Sequence, residues 1–364
     1  MAKKKEKQYY DVGILSYNLY TSNNYGAVLH TYAFQQYLDK VGINNVIVDY
    51  RPPQRPFIKA KKIIKTKGWS FWFRSLKFKS FFKKYYRITD RTYNYDSLIH
   101  IDNISRFVCE TDVTWSFSKK YGFDKGFFCD FNNMKYKDNV AYSVDFGSKL
   151  FTPEAEEEIK YLSKNFKYIS IRNVFKKDYL QNLLGRDDIK IVADSVFLLD
   201  REDYMKIAKI PKMKKKYVLV YNCVENNEEL LKTAKEFAQK NNLEVMELSL
   251  FKDNKTIEKK ILTASIEEFL GYVDNAEYIF TNSYHGICFS VLFNKQFYAF
   301  ARSGNSEKIQ SVLESFGLGE RLYNPETGLI DKKIDYDIVK PQIAKVVAEA
   351  KDFINKSIVE NKPQ

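Results

Sequence analysis

Asp11–Tyr50 reads DVGILSYNLYTSNNYGAVLHTYAFQQYLDKVGINNVIVDY. DVGILSY is a short apolar run of the kind a fully buried strand shows, and the polar loop NLYTSNN follows it. YGAVLHTYAFQQYLDKVG then carries helical spacing closed by Gly42 at its C-terminal cap, and NVIVDY is a second strand. Strand, loop, helix and strand in that order imply a parallel sheet, with ligands taken at the carboxyl ends of the strands.

The same alternation continues along the chain. RFVCETD and NVAYSVDFG read as strands, PEAEEEIKYLSKN as a helix, and YISIR and IKIVADSVFLL as two more strands. After a lysine-rich connection, KYVLVYN opens a second series: helix NEELLKTAKEFAQKNN, strand LEVMELSL, helix SIEEFLGYVDNA, strand YIFTN, a helix starting near Ser283, and strand QFYAFA. The fold class expected is α/β, with two Rossmann-like domains facing a cleft. We place an N-terminal Rossmann-like domain at 1–205, with a basic aromatic helical insertion at about 59–91, and a C-terminal Rossmann-like domain at 206–335. A last helical segment at 336–364 is placed to pack back on the first domain.

A chain of 364 residues suits two cores of ordinary size. Apolar runs such as IVADSVFLL fall far short of the roughly 20 residues a bilayer span needs, and the N-terminal lysines lead into a strand without a signal-like apolar core. The reading is cytoplasmic. Cys109, Cys129, Cys223 and Cys288 lie far apart, so neither a disulfide framework nor a zinc site is indicated. The net charge of +13 calls for an anionic partner, and charge alone does not choose between nucleic acid, lipid headgroups and a phosphorylated substrate. No nucleic-acid reader motif accompanies it.

In YIFTNSYHGICFSVLF the strand ends near Thr281 or Asn282, Ser283 takes an N-cap position, and Tyr284, His285 and Gly286 fall in the first helical turn. Amides at a helix start, a hydroxyl and a small residue suit a phosphate or carboxylate. The plainer alternative is a capping Ser283 and a satisfied surface His285. Downstream, FARSGNSEKIQSVLESFGL supplies Arg302, Asn305 and Lys308 around the next strand end, where they would converge on the same cleft.

TNSYHGICFSVLFNKQF, with the Asn305–Lys308 segment and FGL after it, resembles the signature of the polysaccharide pyruvyl transferase family. The resemblance runs from Val12 to about Leu318. GILSYNLYTSNNYGAVLHTYAF is similar to the family's opening strand, Asn-Tyr-Gly loop and helix; AYSVDFG, SIRNVFKKDYL and DSVFLL are similar to its later elements.

What the resemblance implies is a fold similar to GT-B glycosyltransferases and transfer of pyruvate from phosphoenolpyruvate to two hydroxyls of a sugar, leaving a ketal. The acceptor would be a glycan or lipid-linked oligosaccharide, no cofactor beyond the donor is expected, and no metal is called for. His285, Arg172 and Lys308 fall on the family's catalytic and donor-binding positions. Asn24, Tyr25, Gly26, Asp112, Asn282, Ser283, Tyr284, Gly286, Arg302 and Asn305 are expected to bind substrate. Arg172 would clamp an anion from the first domain or pair with a carboxylate such as Asp178 or Asp194, and Asn24 could serve only as a cap.

Three departures stand out. ETDVTW keeps Asp112 and Trp115 but lacks a family glycine, Ala27 takes the place of an acidic residue in some relatives, and Ser195 replaces a proline. The general base is left unassigned. A nucleotide-sugar glycosyltransferase in the same cleft, or a glycan-binding protein with a degenerate site, are the alternatives.

WSFWFRSLKFKSFFKKYYR reads as a helix with Trp72, Leu76, Phe82 and Tyr86 near one face and Arg74, Lys77, Lys83 and Arg87 elsewhere. It either packs its aromatics on the first domain or makes peripheral contact with an anionic membrane at its inner face.

Overall fold

The computed structural model describes residues 8–17, 24–52, 60–131, 138–147, 150–213, 215–223, 225–249, 257–302 and 306–361; the side chains of 60–67 are also outside the described set. Two all-parallel sheets make up the frame. The first contains β1 (Tyr10–Ser16), β2 (Asn45–Ile47), β3 (Ile104–Asp112), β4 (Asn139–Val144), β5 (Phe166–Ile171) and β6 (Lys190–Ile191), in the order β2-β1-β3-β4-β5-β6. The second contains β7 (Tyr217–Tyr221), β8 (Glu244–Leu248), β9 (Lys260–Ile261), β10 (Tyr278–Thr281) and β11 (Gln296–Ala299), in the order β11-β10-β7-β8-β9.

The helices that matter for the site are α1 (Tyr25–Lys40), α2 (Ala60–Tyr85), α3 (Pro153–Leu162), α4 (Glu228–Lys240), α5 (Ile266–Asn275), α6 (Tyr284–Leu292), α7 (Ser306–Ser315) and α8 (Tyr336–Ile354). Asn24 caps α1 by accepting from the amides of Gly26 and Ala27, and Gly42 beyond its end adopts φ 76°, a conformation that costs a glycine little. Ser265 and Glu268 form a reciprocal capping box at the start of α5. α8 returns to the first sheet: Arg106 of β3 donates to the Ser357 carbonyl at 2.6 Å, and the Phe353 ring lies 6.1 Å from Tyr142 of β4.

Two expectations change. IKIVADSVFLL is a strand only at Lys190–Ile191, because Asp194 accepts from the Val196 amide and turns Ser195–Leu198 into a 3₁₀ segment. The buried face of α2 is Phe78, Phe81 and Phe82, not Trp72 and Leu76, and Arg74 is 3% exposed, donating to the carbonyls of Ser249 and Leu262 at 3.1 and 2.9 Å. The helix lies against both domains, so a guanidinium that hydropathy assigns to solvent instead satisfies carbonyls of the second one.

The domains share one continuous apolar core that includes Tyr25, Phe78 and Phe81 from one side and Tyr221, Phe269 and Phe289 from the other. Among the described residues no helix is long and apolar enough to cross a membrane. The four cysteines are buried free thiols.

Candidate active site at the domain junction

Because every strand of the first sheet runs the same way, the residues at their carboxyl ends collect along one edge. Asp112 closes β3, Asp145 follows β4, Arg172 follows β5 and Asp194 lies three residues past β6. Arg172 gathers the three carboxylates: Nη2 reaches Asp112 at 2.9 Å, Nη1 reaches Asp194 at 2.7 Å, and Nε reaches Asp145 at 3.3 Å. Its side chain is 2% exposed, and its guanidinium lies 4.4 Å from the centre of the Tyr284 ring.

The second domain closes the cluster. α6 starts directly beyond β10 and brings Tyr284 and His285 onto this edge, with His285 Nε2 3.5 Å from the Asp194 carboxylate. α7 brings Lys308, whose ammonium sits 3.5 Å from Asp112, 3.7 Å from Asp145 and 4.9 Å from the Tyr284 ring centre. Lys308 is 14% exposed, against 2% for Arg172, and its ion contacts are longer. Of the two cations it is the one with room to change partner.

A second buried histidine stands behind the first. His30 on α1 binds Glu110 of β3 through Nδ1 at 2.9 Å, and its ring stacks on that of His285 with centroids 5.6 Å apart. Glu110 also accepts from Ser16 at 3.0 Å, Thr31 at 3.3 Å and Ser195 at 2.5 Å. Neither His30 Nε2 nor His285 Nε2 has a hydrogen-bond partner among the described residues.

These surroundings push the titrations apart. Burial lowers the His285 pKa; the Asp194 carboxylate opposes this, the His30 cation adds to it, and the net direction is down. Burial acts the same way on His30, but the Glu110 carboxylate outweighs it and the pKa is raised. Lys308 is lowered by burial and then by Arg172, against the pull of Asp112 and Asp145. Burial would raise Asp112, yet Lys308 and Arg172 hold it well below the usual carboxylate range. The site thus contains a neutral imidazole and a weakened ammonium beside ionised carboxylates.

The polysaccharide pyruvyl transferase family profile matches residues 24–304, most of the chain and both domains. This chain belongs to the polysaccharide pyruvyl transferase family. Pyruvyl transfer in polysaccharide chemistry is therefore its general activity. No curated protein matches the sequence.

Solved structures similar to this pyruvyl transferase family member include S. aureus MnaA in a co-structure with UDP, 10% identical, covering 97% of this chain and 98% of that one at a TM-score of 0.50. A UDP-N-acetylglucosamine 2-epimerase is 8% identical, with 98% and 99% of the two chains covered, also at 0.50. The UDP-GlcNAc 2-epimerase from Neisseria meningitidis bound to UDP-GlcNAc is 10% identical, with 96% and 99% covered at 0.49. For the two at a TM-score of 0.50 the likeness, at such identities, is one of fold alone, two Rossmann-like domains facing a cleft as in GT-B enzymes.

For this family member several expected site residues are brought together and others are not. His285, Arg172, Lys308, Asp112 and Tyr284 share one cluster. Arg172 is not a free anion clamp, since its guanidinium is saturated by carboxylates; Asp194 is one of them and Asp178 is not. Tyr25 is fully buried, stacked on Phe269 at 4.8 Å with its hydroxyl donating to the Ala264 carbonyl, so it joins the domains instead of facing substrate. Asn282 is likewise consumed, accepting from the Cys223 amide at 2.7 Å and donating to Asn222 and Glu225, while its carbonyl accepts from Arg302 Nε at 2.5 Å. Ser283 holds the N-cap position, but its hydroxyl makes no capping bond. Asn24 caps α1, and Asn305 lies outside the described residues.

The two glycines are small for reasons other than ligand approach. A Cβ on Gly286 would meet Thr281 Oγ1 at 2.3 Å, and one on Gly26 would meet His285 Cγ at 2.1 Å and Nδ1 at 2.4 Å. Gly26 is thus the floor on which the imidazole rests. Gly26→Ala is expected to push His285 off Asp194, lowering kcat roughly 100-fold while costing about 1–3 kcal/mol of stability; kinetics with thermal unfolding checks both.

Sequence alone does not single out Asp145, Asp194, Glu110 and His30 as functional. The three carboxylates do carry a signal, their place at or beside parallel strand ends, and His30 lies one helical turn from Gly26 on the same face. Among the described residues no group of three or more His, Cys, Asp or Glu is placed to hold a metal ion.

Proposed function

We propose that this chain transfers pyruvate from phosphoenolpyruvate to two hydroxyls of one sugar in a surface polysaccharide or its lipid-linked precursor, forming a cyclic ketal. The observation that carries the reading is the pairing of His285 and Lys308, a base and an acid whose pKa values are both displaced toward neutrality of charge, on one cluster at the domain junction.

Lys308 is the donor's cation. Exchanging its long contacts to Asp112 and Asp145 for the donor's phosphate or carboxylate costs little, whereas Arg172 would have to abandon three carboxylates in a dry site. The Lys308 ammonium protonates the donor's methylene carbon, and the adjacent carbon gains oxocarbenium character. The first sugar hydroxyl bonds to that carbon as His285 takes its proton. The second hydroxyl then bonds to the same carbon as the carbon–oxygen bond to phosphate breaks. Its proton restores the Lys308 ammonium, and the proton held by His285 leaves with phosphate. Asp194 orients the imidazole, and the first domain supplies the acceptor's side of the cleft.

Phosphoenolpyruvate with a panel of lipid-linked and nucleotide-linked sugars should yield one phosphate and one added pyruvate per turnover, read by phosphate release and mass. Tighter calorimetric binding of UDP than of phosphoenolpyruvate, with no turnover across the panel, would overturn the reading. Lys308→Met should reduce kcat by roughly 100-fold or more and weaken donor binding in the same titration.

A further inference from the structure

Helix α2 holds an apolar ridge away from the protein. Trp69 is 62% exposed, Phe73 51% and Leu76 42%, at spacings of four and three that align them on one stripe. Trp72 meets Trp69 edge-on at 6.0 Å and Phe73 at 5.1 Å, so the aromatic ridge is preformed. The helix is fixed from its other side, by buried Phe78, Phe81 and Phe82, by Arg74 on two carbonyls of the second domain, and by Lys77 on Glu268 at 2.8 Å.

Charge singles out the partner. Lys59–Arg87 contains eleven Lys and Arg and no acidic residue, against a net charge of +13 for the whole chain. Lys79 and Lys83 are exposed beyond the ridge on the same helix. A second copy docking here would set two such segments against each other, which like-charge repulsion opposes. A nucleic acid would satisfy the lysines but leave a Trp, Phe and Leu ridge with no need to exist in line. Indole and phenyl rings followed by lysines on an outward helix face match the boundary between headgroups and acyl chains of an anionic bilayer.

We infer that α2 seats the protein on anionic membrane surfaces, with Trp69, Phe73 and Leu76 entering the headgroup boundary and Lys79 and Lys83 on the lipid phosphates. The inference is independent of the reaction at the domain junction, and the test needs no substrate. The full chain should sediment with vesicles containing about one third phosphatidylglycerol, remain free of pure phosphatidylcholine vesicles, and be released by about 0.5 M salt. Tryptophan emission should shift to the blue on binding. Trp115 is completely buried, so that shift reports Trp69 and Trp72.

Trp69→Ser with Phe73→Ser, which keeps the charge, and Lys79→Glu with Lys83→Glu, which keeps the ridge, should each lower partitioning at least about tenfold with unchanged thermal unfolding. Failure of the folded protein to bind anionic vesicles overturns the inference, as does wild-type binding by the ridge variant. So does a dimer in light scattering that only the ridge variant dissociates, or an oligonucleotide that binds equally well to wild type and ridge variant and displaces the vesicles.

Discussion

His285→Gln is expected to lower kcat by roughly 100- to 10,000-fold and to leave the protein folded. Glutamine keeps a polar head near Asp194 but cannot carry a proton through a cycle, so the loss falls on turnover more than on donor binding. The imidazole is 4% exposed, rests on Gly26 and touches the Asp194 carboxylate, so it has little freedom to be replaced by solvent. Its depressed pKa adds a second readout. A base is active when deprotonated, and lowering its pKa extends the deprotonated form to lower pH, so the acid limb of kcat/KM should fall below the unperturbed histidine value of about 6.5. Removing the neighbouring positive charge with His30→Gln should move that limb upward, since one of the influences depressing His285 is gone. Full activity of His285→Gln across the profile would remove this residue from the mechanism.

Arg172→Met is expected to cost about 3–5 kcal/mol of stability, the usual range for breaking a buried ion cluster from one side. Three carboxylates, two of them essentially inaccessible, would lose their central cation and keep Lys308 as the ammonium in contact with Asp112 and Asp145. Chemical denaturation of wild type and variant measures the difference. The sign with pH is fixed by the carboxylates. Burial would raise Asp194 and Asp112, but His285 and Arg172 for the first, and Lys308 and Arg172 for the second, hold both below their ordinary pKa. Groups depressed on folding stabilise above their unfolded pKa of about 3.9 and lose that contribution as pH falls through the folded value. The gap between the two proteins should therefore be full at neutral pH and narrow in acid. Arg172→Lys, which restores the charge without the fork, should fall between them. A variant as stable as wild type at pH 7 would mean the cluster is satisfied without its hub.

Much of this was legible beforehand, and the parts that were not have physical reasons. Strands such as YISIR, KYVLVY and YIFT announce themselves as apolar runs, because a parallel strand covered on both faces has no polar side to show. Lys190–Ile191 and Lys260–Ile261, each a two-residue strand, are too short for any period to register. His285 stands in a distinctive motif. Asp112, Asp145 and Asp194 do not, because their meeting depends on sheet order, with β3, β4, β5 and β6 as successive neighbours, and sequence spacing contains no record of that order. The orientation of α2 escapes sequence periodicity for a related reason: a helix wedged against two domains has two inner faces, and Arg74 lies on one of them.

The contact between Gly26 and His285 joins residues from opposite domains, as does that between Asp194 and His285. Any hinge opening wide enough to admit a sugar pulls the imidazole from both its floor and its orienting carboxylate. For the proposed reaction, water arriving at a bound donor in an open molecule would meet no assembled base, which would protect the donor from hydrolysis. Fidelity toward the sugar would then reside in the seam between domains, where closure on the right acceptor is the event that builds the catalyst.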